Sequence, residues 1–282
     1  MLAIIGGSGF ENFEEFEFVA ELDRSTPFGD CATGFKKVRI AGQECLFISR
    51  HGKHHEHLPS EVNFRANIFA LKKHGAKAIV SFSAVGSLKK EFKPGDMVIT
   101  SQYIDRTKGI RKHTFLGEGI VGHVSLAKPI CDVMEQKLKT VATKFDFQTH
   151  FKGTYICIEG PYFSTQAESK SYIGAGADII GMTHFPEFAL AREAGLAYLP
   201  CCWVTDYDCW NDSIPHVTVA EVIKVMKNNN LKAFKLLKEL VQLKSDLWQG
   251  TKATESGLKT GLFMPLEQVP KSKMEWLKLL MD

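Results

Sequence analysis

The chain has 282 residues, 44% hydrophobic and 24% charged, with a formal net charge of +3, which suits a folded protein with a sizeable core. Its basic and acidic residues interleave without forming a basic stripe, which argues against a nucleic-acid backbone as partner. No uninterrupted apolar stretch approaches the roughly 20 residues of a membrane span, and seven irregularly spaced cysteines without a C-x-x-C pair argue against a zinc ribbon or a thioredoxin-like site. The opening Met1–Gly7 stretch has no basic region and too short an apolar run for a secretory leader. The expectation is a reduced, cytoplasmic protein with neither nucleic-acid nor membrane partners, in which a bridge between adjacent Cys201 and Cys202 is disfavoured.

In chain order, Leu2–Ile5 is a buried strand that enters a glycine loop, Gly6-Gly7-Ser8-Gly9. Thr26–Asp30 is a turn, and Lys37–Arg50 alternates around Gly42 as a hairpin does. Asn63–Lys73 carries apolar residues at helical spacing and closes on His74-Gly75. Ala78–Phe82 is a central strand that runs straight into Ser83-Ala84-Val85-Gly86-Ser87. The turn Pro94-Gly95-Asp96 precedes a strand at Met97–Ser101. Asp105–Gly122 lacks apolar periodicity and reads as a functional loop, and Ser125–Lys144 reads as a helix. Then follow a strand at Gly153–Ile158, a short helix at Gln166–Ile173, a strand at Asp178–Gly181, a helix at Pro186–Ala194 and a strand at Leu196–Val204. Val219–Leu247 is a long amphipathic helix, and the tail ends in a helix at Lys273–Met281. Strands alternating with helices give the α/β class, with one central mixed, largely parallel sheet flanked by helices. No repeat or linker divides the chain. Residues 1–250 are expected as the main domain, with 251–282 as an extension packed on it.

Four motifs follow predicted strands, where α/β sheets collect their ligands. The first, Gly6–Gly9, brings backbone N–H groups and the Ser8 hydroxyl close to an anion; a dinucleotide fingerprint or a plain turn are the alternatives. In the second, Arg50-His51-Gly52, a planar guanidinium fork stands beside a second donor, as phosphate requires. The histidines of Lys53–His57 invite a zinc reading, but no H-E-x-x-H is present, and Lys53 and His54 read as solvated loop. The third, Ser83–Ser87, offers small hydroxyl residues. The fourth, Thr205-Asp206-Tyr207-Asp208, sets two carboxylates two residues apart, which suits a metal, an aminopurine or a solvated turn. For an aminopurine, a carboxylate accepts from N6 and a protonated carboxyl donates to N7, and the proximity of two acids favours one protonated partner.

Together these motifs, with Thr26–Gly29, Glu159-Gly160-Pro161, Phe163-Ser164, Ala167–Ser169, Gly181-Met182-Thr183 and Pro186-Glu187, stand in an order that resembles the 5′-methylthioadenosine phosphorylases of the trimeric purine nucleoside phosphorylase family. The resemblance implies a homotrimer that uses inorganic phosphate as co-substrate, with no cofactor and no metal. It implies phosphate held by Ser8, Arg50, His51, Ser83, the Ala84 backbone and Thr183. Met182 would pack on the ribose, and Phe163 and Ser164 would line the base side. Asp206 and Asp208 would bind N7 and N6 of adenine and, with His51, carry the catalysis. His123, Val219, Val222 and Ile223 would form the methylthio side, with His123 serving a neighbouring subunit and Phe263 closing the pocket from the tail. Val219, Val222 and Ile223 also fit ordinary core. Family members often carry Thr at positions 8 and 83, and some carry Asn at position 181. The nucleoside and phosphate are thus the expected partners. The alternatives are a phosphorylase for methylthioinosine, inosine or guanosine, a nucleoside-binding protein without catalysis, and a metal-dependent transferase.

Overall fold

The computed structural model describes residues 1–9, 16–211, 219–252 and 257–282. The strands are β1 (Leu2–Gly6), β2 (Glu17–Glu21), β3 (Lys36–Ile40), β4 (Gln43–Ser49), β5 (Ala78–Ser87), β6 (Met97–Arg106), β7 (Thr149–Ile158), β8 (Ile179–Gly181) and β9 (Ala197–Asp206). They form one mixed sheet in the order β2-β3-β4-β1-β5-β8-β7-β6-β9, and β5 also pairs with β9, so the far half closes on itself. Among the described residues, five of the nine pairings are parallel: β1–β4, β1–β5, β5–β9, β6–β7 and β7–β8. The helices are α1 (Phe64–Lys73), α2 (Asp132–Ala142), α3 (Gln166–Gly174), α4 (His184–Glu193), α5 (Val219–Gln242), α6 (Leu258–Gly261) and α7 (Lys271–Met281).

Alternation along β1 explains the two layers. Leu2 and Ile4 join Val80, Phe82, Met134 of α2 and Leu237 of α5 on one face. Ala3 and Ile5 join Ile68 of α1, Leu190 of α4 and Leu277 of α7 on the other. A strand covered on both faces reads as an unbroken apolar run. Burying one such side chain contributes about 1.5–3 kcal/mol. The tail shares this core, since Leu258, Leu277 and Leu280 lie in the second layer. Cys201 and Cys202 point to different clusters, and all seven cysteines are free thiols.

Three expectations are corrected. The strand expected over Ala78–Phe82 does not end there: β5 runs on through Ser83–Ser87, pairing Ser83 with Cys202 and Gly86 with Asp206 across a bulge. The helix expected over Ser125–Lys144 is confined to Asp132–Ala142; Pro129 has no N–H to give and biases its predecessor away from helix. The long helix stops at Gln242, and a short 3-10 turn, Lys244–Leu247, follows it. Strand β2 lies at the sheet edge and is largely solvated.

Candidate active site

The parallel strands β4, β1, β5 and β9 run side by side in register, with Gly6 opposite Ser49, Ile5 opposite Ser81 and Ala84 opposite Trp203. Their carboxyl ends therefore open on the same side of the sheet. There a cleft of about 870 Å3 is lined by Ser8, Arg50, His51, Ser83, Ala84, Phe163, Ser164, Met182, Thr183, Asp206, Asp208, Val222 and Ile223. Residues from seven separate stretches of chain thus share one space. Val222 is half-buried and Ile223 is 42% exposed, so they form cleft wall, not core. Val219 opens α5, and its side chain lies outside the described residues.

At one end the cleft is a set of hydroxyls and N–H groups. Ser83 Oγ and Thr183 Oγ1 stand 3.4 Å apart, although 100 residues separate them. The glycine loop lies against them because residue 7 has no side chain. A Cβ there would stand 2.7 Å from the Phe82 carbonyl oxygen and 2.9 Å from Arg50 Nη1. Gly7→Ala is therefore expected to lift the loop off β5. A displacement of about 1 Å at a reacting centre costs on the order of 100-fold, so turnover should fall by about that factor with the fold intact by circular dichroism. Unchanged turnover would dismiss the loop from the site.

Arg50 is 1% exposed and bound inward. Its Nε and one Nη2 proton go to Glu187 at 2.6 and 3.0 Å, the other Nη2 proton to Ser81 Oγ at 2.7 Å, and one Nη1 proton to the Phe82 carbonyl at 3.1 Å. The fork expected to face the cleft is spent on Glu187, and a single N–H edge remains. Burial opposes the charge on Arg50, and Glu187 more than restores it. His51 Nδ1 lies 2.9 Å from the His57 carbonyl, which fixes that nitrogen as the donor. In the neutral ring, Nε2 is then an acceptor. His51 offers a second donor only when doubly protonated, which sharpens its expected role. Lys53, His54 and His55 are exposed but stand on the cleft rim with Leu58 and Pro59. Among the described residues no three His, Cys, Asp or Glu side chains converge as a metal-ligand set.

At the other end stand the two acids. Asp206 Oδ2 accepts from Thr205 Oγ1 at 2.7 Å and Oδ1 accepts from the Asp208 N–H at 2.8 Å. Asp208 adopts a left-handed backbone, φ 51°, which Asp tolerates better than most residues. Burial pushes both carboxyls above the usual range, and for Asp206 the neighbouring Asp208 charge adds to it. The Ser169 and Ser164 hydroxyls approach Asp208 and pull the other way. Neither makes a well-formed bond, so Asp208 Oδ2, Ser164 Oγ and Ser169 Oγ remain buried without hydrogen-bond partners. Such groups are costly and rare unless a ligand completes them.

The residues 1–242 match the family model described as "Phosphorylase superfamily". The chain belongs to this superfamily. An S-methyl-5′-thioadenosine phosphorylase of Thermosynechococcus vestitus is 42% identical over 283 residues, covering 99% of this chain and 97% of the relative. A crystal structure of a methylthioadenosine phosphorylase from an antarctic soil metagenomic library superposes with a TM-score of 0.89 at 40% identity, covering 100% of this chain and 98% of that one. A methylthioadenosine phosphorylase from Schistosoma mansoni, in complex with adenine, superposes with a TM-score of 0.79 at 32% identity, covering 99% and 96%. Within the superfamily the chain therefore stands among the methylthioadenosine phosphorylases.

Other residues of this phosphorylase stand apart from the cleft. Arg111, in the stretch 105–122, is 5% exposed. Its five N–H groups go to Glu159 Oε1 at 2.6 Å and to the carbonyls of Met182, Phe185, Ile158 and Glu159 at 2.6–3.4 Å. That stretch reads as a functional loop from the sequence; none of its residues lines the cleft, and Arg111 ties it to the Met182 and Phe185 carbonyls. His123 and Phe263 also lie off their own cleft. They meet edge to face, 6.3 Å between ring centroids, and Phe263 is 79% exposed. The glycine at 181 has a physical reason here. A Cβ would stand 2.0 Å from the Tyr155 hydroxyl oxygen, which accepts from the Thr183 N–H at 3.4 Å.

Proposed function

We propose that this chain cleaves 5′-methylthioadenosine with inorganic phosphate, releasing adenine and 5-methylthioribose 1-phosphate. The observation that carries the reading is the joining, in one cleft, of a hydroxyl-and-guanidinium cradle with two neighbouring carboxyls, the half-buried Asp206 and the buried Asp208. The adjoining apolar wall of Val222, Ile223 and Met226 suits a methylthio group, which gains from burial where a hydroxyl would lose hydrogen bonds. The relatives' names support the same substrate.

The mechanism follows from placement. Ser8, Ser83, Thr183, the Ala84 backbone and the remaining Arg50 N–H hold phosphate beneath the ribose, and His51 Nε2 accepts its proton or bears one. Met182 packs on the sugar. As the C1′–N9 bond breaks, its electron pair moves into the base and C1′ acquires oxocarbenium character. The phosphate charge stabilises that carbon and a phosphate oxygen then bonds to it. Asp206, whose hold on a proton burial strengthens, binds one as the nucleoside docks and gives it to N7. The free Oδ2 of Asp208 accepts from the N6 amino group beside Ser164. No covalent intermediate on the protein is required. Incubating the enzyme with methylthioadenosine, adenosine and inosine, with and without phosphate, tests this. Adenine release from methylthioadenosine should require phosphate, and phosphate-independent release would overturn the reading.

The raised carboxyls carry a pH signature. A folded-state pKa above the unfolded value means that the folded protein holds protons the unfolded chain has released. The stability contribution of Asp206 and Asp208 is therefore complete below the ordinary carboxyl value of 3.8 and is lost as pH rises through the raised values. Adenine binding at pH 7 should be accompanied by proton uptake, because a protonated carboxyl is the N7 donor. Calorimetry in buffers of different ionisation enthalpy measures it, and a buffer-independent heat would remove Asp206 from the donor role.

The same reading includes a cytoplasmic homotrimer. The free thiols suit a reducing compartment. The exposed Val121 and Phe263, joined by a 2.9 Å backbone hydrogen bond, supply an apolar patch beside His123. Sedimentation should give three times the 31.5 kDa chain mass.

A further inference from the structure

We propose that Glu187 is a positioning residue for phosphate: it turns Arg50 so that one N–H, and only one, faces the cradle. The inference rests on the phosphate role given to Arg50 above and names a device for it.

The hydrogen-bond inventory carries the argument. A guanidinium has five N–H donors in a rigid plane. Four of Arg50's are held by protein atoms. Glu187 takes two of them side by side, the bidentate geometry that fixes a guanidinium plane best. Glu187 is in turn fixed by others. Its Oε1 also accepts from Ser81 Oγ at 2.6 Å and from the Tyr198 hydroxyl at 2.7 Å. All four groups are buried, at 0–2% exposure. The fifth donor lies on Nη1, the nitrogen 2.9 Å from the position a Gly7 Cβ would occupy. That nitrogen therefore abuts the glycine loop that lines the cleft. Without its carboxylate partner, the arginine would be a buried charge free to turn.

The pairing also sets what Arg50 delivers. Its charge is matched by Glu187 within hydrogen-bonding distance, so the cradle receives a directed N–H more than a free positive charge. A residue that aims another one should alter the use of phosphate and leave the use of nucleoside alone.

Tyr198→Phe removes one bond to Glu187 and keeps the ring, and Glu187→Gln removes the charge and keeps the shape. Both should raise the phosphate KM, by about threefold and about tenfold or more (a factor of ten corresponds to about 1.4 kcal/mol), with the nucleoside KM within about twofold. Because Glu187→Gln leaves a buried charge unmatched and threatens folding, the same change is also made in an Arg50→Met background. There it should add nothing to the phosphate KM, because the residue it aims is gone. Phosphate KM values unchanged in folded Tyr198→Phe and Glu187→Gln enzymes, or a full additive effect of Glu187→Gln in the Arg50→Met background, would overturn the proposal. Base release by the wild type without phosphate would instead overturn the reading beneath it.

Discussion

Asp206→Asn is expected to lower kcat/KM for methylthioadenosine by about 100- to 10,000-fold, the range that a positioned proton donor contributes, and to shift preference toward 6-oxopurine nucleosides. The amide keeps the shape of the carboxyl but has no acidic proton for N7. Its NH2 group also favours an O6 acceptor over an N6 donor. One local bond is kept and the other reverses: the amide oxygen can still accept from the Asp208 N–H, while the Thr205 hydroxyl, which now donates to Asp206, turns its proton to the Val85 carbonyl and accepts from the NH2. The loss should therefore fall on chemistry more than on folding. Initial rates with methylthioadenosine and methylthioinosine give the ratio directly, and an unaltered ratio would reassign the carboxyl.

Arg111→Leu is expected to cost about 3–5 kcal/mol of stability, as for other buried ion pairs broken from one side. The reason is the number of groups left behind. Glu159 stays buried with its charge, and four carbonyl oxygens lose a donor. Two of them, on Met182 and Phe185, flank Thr183, so the phosphate end of the cleft loosens as well. Arg111→Lys keeps a charge but cannot reach five acceptors in a plane, and it should recover only part of the loss. Urea denaturation midpoints order the three proteins. If Arg111→Leu unfolds at the wild-type midpoint, the hub is not structural.

The fold was largely legible because buried parallel strands announce themselves. Leu2–Ile5, Ala78–Phe82 and Leu196–Val204 are apolar runs ended by glycine, serine or acidic residues, and the cleft forms where those runs end. The cleft residues Ser8, Arg50, Ser83, Thr183, Asp206 and Asp208 were legible for the same reason. What stayed hidden was pairing across long separations. Glu187 lies 137 residues from Arg50 and Glu159 lies 48 from Arg111; neither carboxylate advertises its partner by spacing. Periodicity alone also misjudged extent. The apolar positions near Pro129 suggested a longer helix, and the apolar run ending at Phe82 suggested a shorter strand, where hydrogen bonding to β9 continues it through the hydroxyl-rich Ser83–Ser87. The edge strand β2, solvated and short, lacks the apolar signal that marks the others.

The slot at Gly181 has a consequence for how this sequence can change over time. The Tyr155 ring and any side chain at 181 compete for one volume. A relative bearing Asn at the position of Gly181 must therefore have surrendered the tyrosine at the position of 155 or moved its strand. The two sites should vary together across descendants of a common ancestor, with the tyrosine changing first. An alignment in which Asn at 181 and Tyr at 155 occur freely together would show that the backbone, not the side chain, absorbs the difference.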